Sequence, residues 1–181
     1  MRELSLHVLD IVQNSIAAGA KTVDVTVSED EESGLLSIEV SDDGVGVPPE
    51  ILSVVLDPFY TSRTSRKVGL GLPLFREAAR AAGGDLAIKS QPGRGTEVRA
   101  TFRLDSIDRA PLGDMAGTLA LLVVCNPEVR FRYTHRRGAR WFSFDSEEFR
   151  RALGDIPPTT PALAGVVKDL IRQGLEPVQR A

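Results

Sequence analysis

The pattern of apolar and polar positions divides the first hundred residues into alternating helices and strands. Spacing of three and four residues predicts helices, and strict alternation predicts strands. Helices are predicted at 3–18 and 51–56, and a third follows the segment 69–73, runs through Leu74 to Ala82 and ends at Gly83-Gly84. Strands are predicted at 22–28, 35–41, 85–90 and 97–104. The strands pair as two hairpins, because short polar or glycine-rich segments join them. A small domain of mixed helix and strand at residues 1–104 follows from this order.

The remainder of the chain has a different pattern of apolar and polar residues. Residues 105–117 read as a linker, and residues 118–181 as a smaller C-terminal unit. Strands are predicted at 118–125, 129–134 and 139–144 as a three-stranded meander, followed by helices at 146–153 and 161–173, the second ending at Gly174. The run 118–125 is apolar on both faces, so a strand there needs cover on both sides. We therefore expect a dependent subdomain, packed against the first domain or a second protein molecule.

The aromatic residues of this C-terminal unit allow two interpretations. Phe131, Tyr133, Trp141 and Phe142 either fill the core of the meander or form part of a docking surface. Aromatic residues are favoured in protein interfaces. A homodimer is left open.

Composition and charge exclude several classes of function. With 181 residues and 42% apolar residues, the chain can bury one core with a small appendix. A net charge of −3 gives no broad attraction to nucleic acid, so no nucleic-acid partner is expected. No apolar run reaches the roughly 20 residues that span a bilayer, and no signal peptide is recognisable. Cys125 is the only cysteine, which excludes an internal disulfide and suggests a buried thiol. A cytoplasmic protein without membrane contact is expected.

Two short motifs carry candidate chemistry. Asp42-x-Gly44-x-Gly46 follows a predicted strand, and its carboxylate can accept a hydrogen bond from an exocyclic amine such as that of adenine. The glycines let a flat ring approach the backbone. Taken alone, however, this motif is more often a plain turn. Gly69-x-Gly71 at a helix N-terminus offers free N–H groups to an anion.

A polar stripe marks the first helix. His7, Asp10 and Asn14 share one face of an otherwise apolar helix. Asp and Asn are poor residues for a helix interior, and such exceptions occur at functional sites, although solvated polar faces are commoner. His7 is interpreted as a wall of the site, and His135, in a basic turn, as solvated.

The motifs form one ordered set: Asp10-x3-Asn14, Asp42-x-Gly44-x-Gly46, a cationic loop, Gly69-x-Gly71, and Gly95-Thr96. This set resembles the ATP-binding domain shared by gyrase, Hsp90, histidine kinases and MutL, the GHKL superfamily, over residues 3–104. The resemblance implies a Bergerat-type fold, an α+β two-layer sandwich with a mixed sheet covered by helices. Here a small C-terminal α+β appendix would follow it. It also implies ATP and Mg²⁺ as cofactors.

The resemblance also assigns roles to individual residues. Asn14 matches the magnesium-binding Asn, and Asp42 the Asp that reads adenine. Asp10 matches the acidic position that activates the attacking group, where the family usually has Glu. A shorter side chain puts efficient hydrolysis in doubt. The remaining nucleotide-binding positions are Gly44, Gly46, Gly69, Leu70, Gly71, Leu72 and Thr96.

The cationic loop matches the family's ATP lid. Arg63 and Lys67 are the candidate catalytic cations there, because positive charge stabilises a transferring phosphoryl group. A solvated basic loop is the alternative for each of them. The Asn14 motif begins almost at Met1, so no domain bearing a phosphoaccepting His is expected before it.

Two functions from different classes fit this sequence. The first is a stand-alone, magnesium-dependent ATPase or protein kinase that acts on or with a separate partner protein in bacterial regulation. The second is a nucleotide-sensing interaction protein with weak catalysis, similar to anti-sigma-factor switches. The sequence does not name the partner, and it does not show whether ATP is hydrolysed, transferred or only sensed.

Overall fold

The computed structural model describes residues 3–56, 71–154, 156–157 and 160–180. The helices are α1 (Leu4–Ala17), α2 (Pro49–Leu52), α3 (Gly71–Ala81), α4 (Met115–Cys125), α5 (Ser146–Leu153) and α6 (Ala162–Gln179). The strands are β1 (Thr22–Asp30), β2 (Leu35–Asp42), β3 (Leu86–Gln91), β4 (Gly95–Arg103), β5 (Arg130–Arg137) and β6 (Arg140–Asp145). Both hairpins predicted for the first hundred residues are confirmed.

All six strands belong to one mixed sheet, in the order β3-β4-β2-β1-β5-β6. The pairs within the first four strands are antiparallel, as is the β5–β6 pair. Only β1 and β5 run parallel, with Val25 opposite Tyr133. The C-terminal hairpin therefore continues the sheet that the first part of the chain begins.

One face of the sheet is buried and the other is polar. Along β1, Val23, Val25 and Val27 are buried, whereas the alternating Asp24 and Thr26 lie on the partly exposed face. Helices α1, α3, α4 and α6 contact one another and cover the buried face. The result is the expected α+β sandwich of one sheet layer and one helix layer.

The prediction of a strand at 118–125 is wrong, because this run forms most of helix α4. A short run that is apolar all round suits a buried helix as well as a buried strand, and periodicity cannot separate the two. Helix α4 packs between α1 and α6, which provide the cover on both sides that its apolar surface requires. The meander is therefore a hairpin of β5 and β6 alone.

The predicted end of the last helix at Gly174 is also wrong, since α6 continues to Gln179. A Cβ atom at position 174 would overlap the ring of Phe142 on β6. Glycine is present there because the helix and the strand approach closely. It does not stop the helix.

Two side chains, Cys125 and His135, differ from the expectations for their burial, and the structure separates the aromatic residues into buried and exposed ones. Cys125 is exposed at the end of α4, so the buried-thiol prediction is wrong. His135 is fully buried and not solvated. Phe131 and Tyr133 are fully buried in the core, whereas Trp141 is 65% exposed. Phe131 and Tyr133 therefore fill the core, as one of the two interpretations expects. Trp141 does not, and its side chain is on the surface.

The segment predicted as a linker makes specific contacts with α1. The backbone N–H groups of Leu4 and Ser5 donate to the carbonyl oxygens of Pro111 and Leu112, at 3.0 and 2.9 Å. Residues 111–112 thereby satisfy N–H groups that the first turn of a helix leaves unpaired. That residues 118–181 form a dependent subdomain stays a prediction. Within the described ranges, no helix combines the length and apolar character needed to cross a membrane.

Candidate functional site

A pocket of about 180 Å³ opens at the end of the sheet where β2 stops and β4 begins. Its walls come from α1, the turn after β2, the residues after α2, the start of α3 and the start of β4. It is lined by Ile11, Asn14, Ser15, Ala17, Ala18, Asp42, Val45, Gly46, Val47, Val55, Leu72, Thr96 and Val98. Most of this lining is apolar, and the few polar groups are concentrated at Asn14, Ser15, Asp42 and Thr96. Such a pocket suits a flat apolar ligand that carries a few hydrogen-bonding groups.

Asp42 is held in place by three hydrogen bonds. Its Oδ2 accepts from the Ser15 hydroxyl at 2.6 Å, and its Oδ1 accepts from the backbone N–H groups of Gly44 at 2.9 Å and Thr96 at 3.3 Å. A carboxylate oxygen has about two lone-pair sites. Since Oδ2 accepts one described hydrogen bond, it retains capacity for a donor on a ligand.

The neighbouring Asp43 has a different function. Its Oδ1 accepts from the backbone N–H groups of Lys21 and Thr22, at 2.7 and 2.9 Å, and so fixes the start of β1. Burial acts to raise the pKa of Asp43, but these backbone hydrogen bonds outweigh it and the pKa is lowered. Asp42 thus faces the pocket, whereas the adjacent Asp43 fixes the start of β1.

Two glycines with positive φ shape the pocket floor. Gly46 has φ 71° and Gly95 has φ 90°, values that side chains with a Cβ rarely adopt. A Cβ at Gly46 would overlap the carbonyl group of Gln91, and one at Gly95 would overlap that of Asp42. The turn after β2 and the start of β4 can approach this closely only without side chains. Gly44 is similarly tight, because its added Cβ would lie 3.0 Å from the Ala18 carbonyl oxygen.

A serine that the sequence analysis overlooked ties this floor together. The Ser90 hydroxyl accepts from the Val47 N–H at 2.7 Å, lies 2.9 Å from the Thr96 hydroxyl and donates to the Gly95 carbonyl at 2.9 Å. Ser15 was missed in the same way, although it directly follows Asn14. Neither residue carries a signal in sequence beyond its position beside a motif, because its partners are distant along the chain.

Asp10 and Asn14 lie one helical turn apart on α1. Asn14 lines the pocket, whereas Asp10 does not and instead lies against the first turn of α3. A Cβ at Gly71 would be 3.1 Å from the Asp10 Cβ, so only a glycine lets α3 begin this close. Burial raises the pKa of Asp10. Asp10 therefore lies one helical turn from Asn14 and outside the pocket lining.

His7 belongs to the contact between α1 and α3. It is 2% exposed, and its ring stacks on Phe75 with the centroids 4.9 Å apart. Its Nδ1 has no hydrogen-bond partner among the residues described. Burial lowers the pKa of His7 from 6.5 to about 4. The ring is therefore neutral at pH 7 and acts as a packing element behind Asp10.

The structure brings together most of the predicted site residues. Asn14, Asp42, Gly46, Leu72 and Thr96 line one pocket, and Gly44 adjoins it. Asp10 and Gly71 contact each other nearby. Arg63, Lys67, Gly69 and Leu70 lie outside the described residues, and their roles stay predictions.

The donor set can be compared with the needs of a magnesium ion. Among the described residues, no group of three or more His, Cys, Asp and Glu side chains is placed to hold a metal. Mg²⁺ at nucleotide sites takes only one or two protein oxygens and completes its coordination with phosphates and water. The Asn14 amide oxygen has the chemistry of such a ligand, and Asn14 is on the pocket wall. The residues present fit an ion that enters with a nucleotide.

Residues 2–106 match the family model of the histidine kinase-, DNA gyrase B- and HSP90-like ATPases. The chain belongs to this family. It is therefore an ATP-binding protein of the GHKL superfamily, and the pocket lies within the matched residues.

Three curated proteins illustrate the family's relatives. The chain is 37% identical to histidine protein kinase DivJ of Caulobacter vibrioides over 101 residues, which are 54% of this chain and 17% of that kinase. It is 34% identical to the CAI-1 autoinducer sensor kinase/phosphatase CqsS of Vibrio cholerae over 104 residues, 57% of this chain and 15% of that protein. It is 36% identical to sensor histidine kinase WalK of Bacillus subtilis over 106 residues, 53% and 17% of the two chains. In each case the likeness covers less than a fifth of the larger protein.

The fold is similar to a solved structure described as the N-terminal domain of a DNA repair protein. The TM-score is 0.57 at 17% identity, over 80% of this chain and 53% of the other. This likeness concerns the fold alone. It covers more of the chain than the family model does, so the shared architecture extends into the C-terminal part.

Proposed function

We propose that this protein is a magnesium-dependent, ATP-binding regulatory module that acts on or with a separate protein by phosphoryl transfer or by an ATP-gated change of conformation. The observation that carries the proposal is the joining of Asn14, Asp42 and Thr96 around one largely apolar pocket. The relatives named as histidine kinases support phosphoryl transfer as the chemical class. A cytoplasmic location fits a chain with a single cysteine.

In this proposal, the adenine ring enters the apolar part of the pocket. Ile11, Val45 and Leu72 contact the ring, and Asp42 Oδ2 accepts a hydrogen bond from its exocyclic amine. Ser15 and the backbone N–H groups of Gly44 and Thr96 hold the carboxylate in position before the ligand arrives. A carboxylate that is already oriented loses little entropy on binding.

The triphosphate is directed along α1 towards Asp10. Asn14 would hold the magnesium ion, and the ion would neutralise phosphate charge. The N-terminus of α3 would direct its backbone N–H groups to the phosphates, because the first turn of a helix leaves these groups without partners inside the helix. Arg63 and Lys67 remain the candidate lid cations on the basis of their sequence positions alone.

Asp10 is the proposed general base. Burial raises its pKa, and a base is most efficient when its pKa approaches the working pH. The carboxylate accepts the proton of the attacking water or of a partner's nucleophilic group.

Weak catalysis with nucleotide sensing is the second candidate function, and one observation favours it. Asp10 is absent from the pocket lining and is shorter than the Glu usual at this position, so its reach towards a phosphate is limited. The partner protein would then recognise the nucleotide-bound form, without transfer of phosphate.

One set of experiments tests the proposal and separates the two candidates. Calorimetry should show that the native protein binds Mg-ATP. Asn14→Ala should remove the part of the affinity that depends on magnesium, and it should leave adenosine binding intact. Asp10→Asn should keep ATP affinity and lose phosphate release, because only a transition-state contact is removed. Tight binding without any turnover in the native protein supports the sensor. No binding of Mg-ATP contradicts both candidates.

A further inference from the structure

The hydroxyl groups on the pocket wall have partners that decide where their protons lie. Ser15 and Thr96 line the pocket and carry such hydroxyls. A serine or threonine hydroxyl has one proton to donate and two lone pairs with which to accept. Where a neighbouring group can only accept, the hydroxyl proton points to that group and is not offered to a ligand.

Ser15 donates its proton to Asp42. The Ser15 hydroxyl is 2.6 Å from Asp42 Oδ2 and 3.3 Å from the carbonyl oxygen of Ile11. Both of these groups are acceptors, and the shorter contact is to the charged one, which forms the stronger hydrogen bond. The Ser15 oxygen therefore has only lone pairs left for a ligand.

Ser90 fixes the proton of the Thr96 hydroxyl in a similar way. Ser90 Oγ accepts from the Val47 N–H at 2.7 Å. It also lies 2.9 Å from the Gly95 carbonyl oxygen and 2.9 Å from Thr96 Oγ1. The carbonyl oxygen can only accept, so Ser90 gives its own proton to Gly95. All three contacts are hydrogen bonds only if Thr96 donates to Ser90, which then uses both of its lone pairs.

The side-chain oxygens in the polar part of the pocket are therefore all acceptors. Asp42 Oδ2, Ser15 Oγ and Thr96 Oγ1 have lone pairs for a ligand and no proton to give it. An amine satisfies such atoms because it donates. A carbonyl in the same place meets only lone pairs, and a buried polar group left without a partner costs free energy.

We infer that Ser90 is a specificity-determining residue of this pocket, although it is not part of the lining. Ser90 keeps the Thr96 proton away from the ligand, so the site takes 6-aminopurines and rejects 6-oxopurines. It acts through Thr96 and is thus a positioning residue. The inference rests on the proposed binding of ATP, and it adds how the pocket excludes competing purine nucleotides.

Calorimetry of the full chain with Mg-ATP and with magnesium inosine triphosphate (Mg-ITP) tests this role, since inosine carries a carbonyl at the position of the adenine amine. The native protein should prefer ATP more than tenfold. In Ser90→Ala the Thr96 hydroxyl loses its acceptor and can donate to a ligand carbonyl. The ratio of the ITP and ATP dissociation constants should therefore fall about fivefold. An unfolded fraction weakens the apparent binding of both nucleotides equally and cancels in this ratio.

Further variants show whether Ser90 acts through Thr96. Thr96→Val removes the hydroxyl and supplies no donor, so ITP binding should not improve. Adding Ser90→Ala to Thr96→Val should leave the ratio of dissociation constants unchanged. Ser41→Ala is the matched control, because Ser41 adjoins Asp42 along β2 but is not part of the pocket lining, and it should keep the native ratio.

The possible results separate this inference from the proposed function. A native protein that binds neither nucleotide overturns both. Equal native affinity for ATP and ITP, or a native preference for ATP that Ser90→Ala leaves unchanged, overturns this inference alone. So does a fall in the ratio that Ser90→Ala still causes in Thr96→Val, because Ser90 then acts by another route. Should Ser90→Ala be too unstable to measure, Ser90→Cys supplies the same test, since a thiol is a weak acceptor.

Discussion

The pocket region and the C-terminal region lie along the same sheet, but one holds space open and the other fills it. Around the pocket, glycines at 46 and 95 bring backbones together and leave a cavity of about 180 Å³ beside Asp42. Around β5, Phe131, Tyr133 and His135 are completely buried. A region built around space is suited to a ligand, and a close-packed region is suited to stability. Substitutions in the two regions should therefore have separable effects.

The buried histidines show the same contrast in detail. His135 is hydrogen-bonded at both ring nitrogens, to the Tyr133 hydroxyl at 3.0 Å and to Glu29 at 2.9 Å. His7 makes a ring stack and leaves Nδ1 without a described partner. Satisfied polar groups strengthen a core, whereas an unsatisfied group costs free energy. His135 is thus the more completely hydrogen-bonded of the two histidines.

The largest effect is expected from Phe131→Ala on β5. Removal of a fully buried aromatic side chain costs about 3–5 kcal/mol of unfolding free energy. Urea unfolding should show this loss, and calorimetry on the folded fraction should show native ATP affinity, because the pocket is unchanged. Phe131→Leu should give a smaller loss in the same direction. Reduced ATP affinity with native stability would contradict the separation of the two regions.

The reverse result is expected from Asp42→Asn in the pocket. Loss of a hydrogen bond to a charged group should cost about 1.5–3 kcal/mol, or more than tenfold in ATP affinity. Stability should change little, since an amide oxygen can still accept from Gly44 and Thr96. GTP should bind the native protein worse than ATP, because guanine carries a carbonyl where adenine has the amine.

Asp43→Asn is the matched control for Asp42→Asn. Asp43 carries the same functional group one residue along, but it fixes the start of β1 and does not line the pocket. Calorimetry should therefore find native ATP affinity for this variant. Equal losses of affinity from the two substitutions, or equal affinity of the native protein for ATP and GTP, would contradict the assignment of Asp42.

The third prediction concerns pH and His7. Burial lowers the pKa of His7 to about 4, so the unfolded chain binds more protons than the folded chain between pH 6.5 and pH 4. Stability is therefore lost as pH falls through this window, by about 2 kcal/mol between pH 7.5 and pH 5. His7→Phe keeps a ring against Phe75 and removes the titration. Urea unfolding at both pH values should show a smaller loss for the variant.

Other groups titrate in a different range or act equally on both proteins. The hydrogen bond from His135 lowers the pKa of Glu29, so its contribution is present above pH 4.5 and is lost only as pH falls further, through the folded pKa. The raised pKa of Asp10 affects the native protein and the variant alike. Parallel loss of stability in the two proteins would show that His7 is not the group that titrates.

The sequence predicts the pocket region better than the C-terminal region, for physical reasons. Apolar and polar residues alternate in β1 and β2, which indicates a sheet with one buried face. The motif Asp42-x-Gly44-x-Gly46 indicates a turn in which backbone segments approach closely. Both signals are local. The grouping of Asn14, Asp42 and Thr96 was implied by the family resemblance and not by these local patterns. The structure places all three on one pocket, and their roles remain predictions.

The C-terminal region depends on contacts that are distant along the chain. Parallel pairing of β5 with β1 joins residues more than a hundred positions apart, and no local pattern announces it. His135 lies between arginines in sequence, yet Glu29 and Tyr133 make it a core residue. Helix α4 was mistaken for a strand because its sequence is apolar on nearly all faces, and most of its residues are buried. Long-range packing decided each of these cases.

The smallest effects are expected where α4 and α6 meet, at Asp114. Its side chain accepts from the Gly117 N–H at 2.9 Å as the N-cap of α4 and pairs with the Lys168 ammonium at 2.6 Å. Asp114→Ala removes both contacts and should cost about 1 kcal/mol of stability, the usual effect of a lost cap. Asp114→Asn and Lys168→Ala each keep the cap and lose the ion pair. Exposed ion pairs contribute only about 0.2–1 kcal/mol to stability. Unfolding free energies should therefore fall most for Asp114→Ala and by similar, smaller amounts for the other two. If Asp114→Asn costs as much as Asp114→Ala, the ion pair and not the cap is the stabilising contact, and high salt should then reduce the difference from the native protein.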